Sequence, residues 1–296
     1  MKISQLSGNM LIVLILFCFS IFVRAAEPVL IDISDRADIA SRGPILIAHR
    51  GGVITPDSHE CSLSALRLAA VDGYDMVELD VQMSSDGVPI VFHDRTLEKA
   101  CGINGHVIDF SANELQKMRY LIGDDGIVSL ERSLETCQRL GLGVMLDLKA
   151  GQDSREFLER INDLIFQYGL SKAAISFSGS DSARRFLTHV RFTPTDEEML
   201  RLQAGEDLNL SHSFWFGLPN QLLPGDIARL KSSGALVFPA INTFRYPTEG
   251  HFNLAQNDIR RLIEEGVDGF QIDSIYFPIF NEEKVNKSTA DETDDD

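Results

Sequence analysis

Short apolar runs alternate with amphipathic stretches along most of this chain. Runs rich in Val, Ile, Leu, Phe and Ala occupy 45–49, 76–82, 88–93, 143–149, 174–178, 190–193, 213–217, 236–242 and 269–273. Runs of this length that are apolar almost throughout read as strands covered on both faces. Between them, 62–72 carries Leu63, Leu66, Ala69 and Ala70 at helical spacing, and 154–168 carries Phe157, Leu158, Ile161, Leu164 and Ile165 in the same way. The segments 130–140 and 255–265 are also amphipathic, the second with Asn253 as its expected cap.

Strand–helix alternation on this scale implies parallel strands joined by helical crossovers, either a (β/α)8 barrel or an open doubly wound sheet. No Gly-x-Gly-x-x-Gly or Walker loop follows the first strand, which disfavours a nucleotide-binding sheet. Polar residues gather instead at the C-terminal ends of several strands, where barrel enzymes build their sites: His49, Asp80, His93, Asp147, Lys149, Ser178 and Asp273. The segment 95–129 is longer than one crossover needs and is expected to form an excursion over the barrel mouth, after the second strand region.

Two carboxylates stand out in the run Met76-Val77-Glu78-Leu79-Asp80-Val81. Strand side chains alternate, so Glu78 and Asp80 point the same way. The apolar residues between them bury the opposite face, which argues against a strand with both acids in water. Side by side in an apolar segment, the two acids repel and lose hydration unless a cation lies between them. Asp147, in Met145-Leu146-Asp147-Leu148-Lys149, again ends an apolar strand and is the natural third ligand. An all-carboxylate site suits Mg²⁺ or Ca²⁺, whereas zinc would want nitrogen or sulfur.

His49 and His93 close two strand-like runs on either side of this pair. Free imidazole titrates near neutrality, so one can accept a proton from a nucleophile while the other donates to a leaving alkoxide. Arg50 can grip two phosphate oxygens in one planar fork, and Lys149 can add a point charge. A divalent cation flanked by two imidazoles and an arginine is equipment for phosphodiester chemistry. Ser178, Trp215, Asn242 and Asp273 are candidate pocket residues. His59, His106, His189, His212 and His251 lack comparable framing.

His49-Arg50-Gly51-Gly52, Glu60, Val77-Glu78-Leu79-Asp80-Val81 and Phe92-His93-Asp94 together resemble the glycerophosphodiester phosphodiesterase family. Thr96-Leu97, Asn104-Gly105, the stretch 108–115, Val267-Asp268-Gly269 and Asp273 extend the resemblance, which runs from about Ile45 to Pro278. It implies a (β/α)8 TIM barrel, a bound divalent cation, Glu60 near the phosphate, and hydrolysis of a small glycerophosphodiester to glycerol 3-phosphate and an alcohol. Two departures matter. The family more often carries glutamate where Asp147 stands, and the loop 53–59 is longer than usual and lacks a proline directly before the acid. Asp147-Leu148-Lys149 also resembles the sphingomyelinase D branch of the same superfamily, so a lysophospholipase D or sphingomyelinase D-like activity is the enzyme alternative. A catalytically inactive barrel that binds a phosphodiester or a partner is the alternative of another class.

Residues 1–25 read as an export signal: Lys2 opens the n-region, 10–23 is apolar, and Val23-Arg24-Ala25 offers a cleavage site. The apolar stretch is short of the roughly 20 residues a membrane span needs. The expectation is an exported protein, periplasmic or secreted, without a stable membrane anchor after cleavage. The catalytic domain is placed at 26–281 and an acidic, disordered tail at 282–296. Formal net charge is −17, and loss of Lys2 and Arg24 with no acid makes it −19. That excess argues against nucleic-acid partners and against docking on anionic membranes. Cys61, Cys101 and Cys137 are scattered, match no zinc spacing and read as buried small side chains. The oligomeric state is open at this level.

Overall fold

The computed structural model describes residues 28–149, 151 and 153–280, so the expected export signal and acidic tail lie outside the described residues. Its strands are β1 (Ile45–Ala48), β2 (Met76–Met83), β3 (Pro89–Val91), β4 (Val128–Ser129), β5 (Gly143–Leu148), β6 (Ala174–Ser176), β7 (Arg191–Phe192), β8 (Phe214–Gly217), β9 (Leu236–Ile241) and β10 (Gly269–Ile272). Eight of them run parallel in the order β7-β6-β5-β2-β1-β10-β9-β8. A parallel bridge from Phe192 to Ser213 joins the two outer strands. The sheet therefore closes into the expected barrel and is not an open doubly wound sheet.

The helices of the described residues are α1 (Arg36–Arg42), α2 (Leu63–Asp72), α3 (Glu98–Cys101), α4 (Ala112–Leu115), α5 (Leu130–Leu140), α6 (Arg155–Gln167), α7 (Asp181–Phe186), α8 (Asp196–Gln203), α9 (Asp226–Ser232) and α10 (His251–Glu264). Ser62, Ser129 and Ser154 begin α2, α5 and α6 by accepting the amide protons of Ala65, Arg132 and Phe157, which satisfies donors the first turn leaves open. The last helix corrects the sequence reading. It starts at His251, a turn earlier than expected, with Gly250 at φ 77 as its cap. Asn253 lies inside the first turn.

Strand alternation sorts the core into two layers. Ile45, Ile47, Met76, Met145, Ile175, Phe214, Leu236 and Phe238 fill the barrel interior. Their sequence neighbours Leu46, Val77, Val144, Val237 and Trp215 face outward against the helices. The interior is apolar in its lower layers and turns polar only where the strands end, at Glu78, Asp80, Asn242 and Gln271.

The run at 88–93 is not a stave of the barrel, as the strand–helix pattern implied. β3 pairs antiparallel with β2 and then with β4, off the barrel path. Together with α3 and α4 it builds the expected excursion, which has its own core of Ile90, Phe92, Leu97, Val107, Leu115, Tyr120 and Ile127. A hairpin peeling from the end of β2 has one face to bury, and this satellite core buries it.

The turn after β1 is the tightest approach in the fold. Arg50 and Cys61 both occupy the left-handed region, at φ 54 and φ 59, and Gly52 sits at φ 132. A Cβ on Gly52 would lie 2.2 Å from the Ala65 carbonyl oxygen, inside the first turn of α2. Gly52→Ala is therefore expected to cost roughly 3 kcal/mol, from backbone strain plus a contact that only helix movement can relieve. Gly73→Ala, left-handed but with no atom within 4 Å, should cost only about 1 kcal/mol. Denaturant unfolding of both variants checks this, and equal losses would mean that the close approach contributes nothing.

Candidate functional site

The register of β2 and β5 sets Asp80 beside Asp147, with Glu78 one inward position below. Donor oxygens of Glu78, Asp80 and Asp147 lie within 4.8 Å of one another, so the three expected ligands converge. Glu78 and Asp80 are almost fully buried. Lys149 reaches back into this cluster, with its Nζ 2.5 Å from Asp80 Oδ1 and 2.6 Å from Asp147 Oδ2. It thus stands as a counter-charge to the acids. Burial works to lower the Lys149 ammonium, but Asp80 and Asp147 outweigh it and hold the group above its ordinary value.

Glu78 is the least satisfied of the three. Its Oε2 accepts the Arg50 backbone N–H at 2.7 Å, while its buried Oε1 has no partner among the described residues. Burial pushes its carboxyl well above the usual carboxylate range, and Asp80 and then Asp147 add to that. With all three ionised, the carboxylates and one ammonium would leave two negative charges in a buried pocket, which is the state burial opposes. One divalent cation matches that charge, and the orphaned Oε1 is a ready ligand for it. The donor set therefore fits a hard cation of the Mg²⁺ or Ca²⁺ kind.

His49 crowns β1 on the inward phase of Ile45 and Ile47. Its Nδ1 is 2.5 Å from Asp273 Oδ1 and 3.1 Å from Asn242 Nδ2. Its Nε2 faces the acids, 4.0 Å from Glu78 Oε2. Asp273 in turn accepts the Thr243 N–H at 2.6 Å and the Thr243 hydroxyl at 2.7 Å. Burial works to raise the Asp273 carboxyl, but the hydrogen bond and charge of His49 and the Thr243 donors hold it at about 2.

His93 is held from the other side. Its Nδ1 lies 3.0 Å from Asp94 Oδ1 and 3.5 Å from Glu60 Oε1, and Glu60 also pairs with Arg50 Nη1 at 3.0 Å. Gln82, two residues past Asp80 on the same face of β2, donates to the carbonyls of Phe92 and Asp94 and so brackets His93. Cys61 touches the cluster as well, its buried thiol 3.5 Å from Asp80 Oδ2. Burial, then Asp80 and Glu78, push that thiol up, so it remains protonated and donates. Cys61, Cys101 and Cys137 are all buried free thiols.

The structure places Ser178 against Asp147, and Asn242 and Asp273 against His49. Ser178 donates to Asp147 Oδ1 at 3.1 Å and accepts the Leu148 N–H at 2.9 Å, fixing the third acid. Trp215 does not join them. Phe214 and Phe216 take the inward phase of β8, which turns Trp215 outward into the helix-facing layer. Sequence reasoning misses Gln82, Asp94 and Thr243 as supports. Gln82 is findable as the third step of Glu-x-Asp-x-Gln and Asp94 from its place after His93; Thr243 carries no local signal.

The strand ends of a parallel eight-stranded barrel thus bring three carboxylates together with two carboxylate-supported histidines, in the position where barrel proteins build their sites. The chain belongs to the glycerophosphoryl diester phosphodiesterase family, whose model matches residues 49–276. It is similar to the glycerophosphodiester phosphodiesterase of Caldanaerobacter subterraneus, 22% identical over 77% of this chain and 93% of that protein. It is also similar to mouse glycerophosphodiester phosphodiesterase 1, 34% identical over 115 residues that cover 36% of this chain and 34% of the mouse protein. The chain spans about a third of the length of the mammalian relatives it matches. Among solved structures, an Oleispira antarctica phosphodiesterase in complex with its product sn-glycerol-3-phosphate superposes with a TM-score of 0.63 at 18% identity, over 82% of this chain and 99% of that one.

The depressed Asp273 carboxyl gives the site a pH signature. Its value of about 2 lies below the unfolded value of about 3.9. The stability it contributes is therefore complete above about pH 4 and is lost as pH falls through 2. Asp273→Asn lacks that contribution at every pH. The variant should be less stable than the parent by on the order of 2 kcal/mol near neutrality, and the gap should close between pH 4 and pH 2. Denaturant melts at stepped pH read this directly, and a gap that persists at pH 2 would make the loss one of packing.

Proposed function

We propose that this chain is a divalent-cation-dependent phosphodiesterase that hydrolyses glycerophosphodiesters to glycerol 3-phosphate and an alcohol. The observation that carries the reading is the meeting of Glu78, Asp80 and Asp147 at one point faced by the Nε2 of His49. Family membership and the product complex of the Oleispira relative support the substrate class. A Mg²⁺ or Ca²⁺ ion held by the three acids would neutralise charge on the phosphoryl oxygens.

The chain's own residues divide the remaining work. Arg50, kept in place by Glu60, presents its guanidinium at the edge of the site to hold a phosphate oxygen. Asp273 engages His49 at Nδ1 and so leaves Nε2 to exchange a proton inside the cavity. Asp94 and Glu60 engage His93 at Nδ1 in the same manner. One imidazole takes the proton of the attacking oxygen, whether from water or the glycerol's own vicinal hydroxyl. The phosphorus–oxygen bond to the alcohol then breaks, and the second imidazole protonates the departing oxygen. Where the vicinal hydroxyl attacked, the product is a cyclic phosphate; a water deprotonated by the second imidazole opens its ring P–O bond while the first returns a proton to the glycerol oxygen, giving glycerol 3-phosphate.

His93→Ala should lower turnover of glycerophosphocholine by about 10²–10⁴-fold while the unfolding midpoint stays near that of the parent. Unchanged turnover would remove His93 from the chemistry.

The cation has a test that needs no turnover. Adding Mg²⁺ or Ca²⁺ should raise the thermal midpoint, by about 2.7 kcal/mol of linkage at a hundredfold excess over the dissociation constant. Asp147→Asn should shrink that shift. Asp147→Glu should retain more of it, because loss of a full charge beside a divalent ion outweighs a one-methylene misfit. An Asn variant with the parent's shift would leave the ion on Glu78 and Asp80 alone.

A further inference from the structure

A cavity of about 440 Å³ lies where the chain enters β6, β7 and β8. It shares no residue with the acid cluster or with His49 at the barrel mouth. Its wall carries Arg184, Arg191, His189 and His212 with Thr188 and Ser213, and neither Asp nor Glu. In a chain of 44 acidic and 27 basic residues, that composition is the reverse of the whole. The cavity follows the weakest seam of the barrel, where β7 and β8 meet through the one bridge from Phe192 to Ser213.

Neither guanidinium is ion-paired with a carboxylate among the described residues. Arg184 donates to the carbonyls of Gly179 at 3.1 Å and Thr193 at 2.8 Å, and its Cζ lies 5.2 Å from the centre of the Phe192 ring. Arg191 donates to the Ser211 carbonyl at 3.1 Å. A guanidinium has five N–H donors, so both keep donors to spare. Burial draws the Arg191 guanidinium below its ordinary value; Asp32 offsets part of this and Arg36 adds to it. Asp32 is itself engaged by Lys172 at 2.7 Å. On the same face of the barrel, Asp268 pairs with Arg36 at 3.2 Å and with Lys231 at 3.1 Å. The fold thus matches neighbouring cations with acids and leaves these two without one, which is unfavourable until an anion enters.

From this arrangement we infer that the seam cavity binds a small phosphate monoester in its dianionic form. Planar guanidinium forks match pairs of phosphate oxygens, and the imidazoles and hydroxyls of the wall supply further donors. A diester carries one negative charge on phosphate, whereas a monoester carries close to two near neutrality. A wall with two unpaired guanidiniums therefore favours the monoester. The volume is at the low end of ligand pockets, roughly 300–1,000 Å³, and leaves room for a phosphate on a small polar alcohol. A net charge of −17 opposes nucleic acid and other extended polyanions. Barrel catalysis is built at the opposite face, so this is a site of binding and it stands apart from the hydrolysis proposed above. Inorganic phosphate and glycerol 3-phosphate both have the required chemistry.

The test is calorimetric titration of the full chain at constant ionic strength and without added divalent cation, so that an ion on the acids contributes nothing. The probes are inorganic phosphate, glycerol 3-phosphate and glycerophosphocholine. Both monoanion-to-dianion probes should bind once per chain, tighter than glycerophosphocholine by about tenfold or more. Arg184→Gln and Arg191→Gln, each shown to fold by its thermal midpoint, should weaken that binding by about tenfold or more. Arg50→Gln, at the barrel mouth, should keep the parental affinity. Should a seam variant fail to fold, His212→Gln at its exposed position takes its place, with an expected loss of about threefold. Tighter binding of glycerol 3-phosphate than of phosphate identifies the ester as the ligand, and equal binding identifies the free anion; either supports the inference. Binding lost in Arg50→Gln and kept in the seam variants places the phosphate at the mouth and overturns it. So does an absence of binding, or an affinity for the two phosphates no greater than for glycerophosphocholine.

Discussion

Closing eight parallel strands into a barrel gives every stave one inward phase, and the acid cluster and His49 lie on that phase. On β1 it runs Ile45, Ile47, His49; on β2 Met76, Glu78, Asp80, Gln82; on β9 Leu236, Phe238, Ala240, Asn242; on β10 Gly269, Gln271, Asp273. The first residues of each series meet in a buried, apolar interior. The last meet where the strands stop and the mouth opens. Chemistry is confined to that upper layer because a charge one step lower would have neither solvent nor a partner.

Within that layer, mutual repulsion of the acids is the dominant energy. Two carboxylates a few ångströms apart repel by about 4 kcal/mol even at an effective dielectric constant near 20. Such a cluster persists in a folded protein only when something opposes it. Lys149 opposes part, through Asp80 and Asp147. The Arg50 amide opposes another part, and the left-handed backbone that places it is itself a strained conformation. Neither reaches Glu78 Oε1. A strained backbone beside an acid cluster that still leaves one oxygen without a partner among the described residues fits a cation held at that point. Asp147 suits this arrangement: the Ser178 hydroxyl holds one of its oxygens and Lys149 the other, so the shorter side chain is fixed from both sides.

The parts of this arrangement legible in the sequence are those carried by local periodicity. Continuous apolar runs locate all eight staves, and the Glu-x-Asp spacing alone puts both acids on one face. Phase also accounts for the misplacement of Trp215: a lone tryptophan draws notice, yet it is one residue out of step with Phe214 and Phe216. Contact between distant segments has no such local mark. Thr243 gripping Asp273, or Lys149 turning back into the acids, depends on how β9, β10 and β5 are set side by side. The antiparallel turn of β3 is hidden for a related reason, because an apolar run carries no sign of its direction.

The two histidines are therefore held by different kinds of structure. His49 is clamped between Asn242 and Asp273, whose strands are rigid neighbours in the barrel. His93 stands on an inserted hairpin whose position rests on a separate core, and two links return it to the barrel. Gln82 extends from the acid-bearing strand to the carbonyls on either side of His93. Glu60 joins His93 to Arg50, next in the chain to His49. A loss of packing around Phe92 and Tyr120 would thus move one histidine and leave the other in place. Packing in the excursion, well outside the barrel interior, therefore sets where His93 stands relative to His49 and the acids.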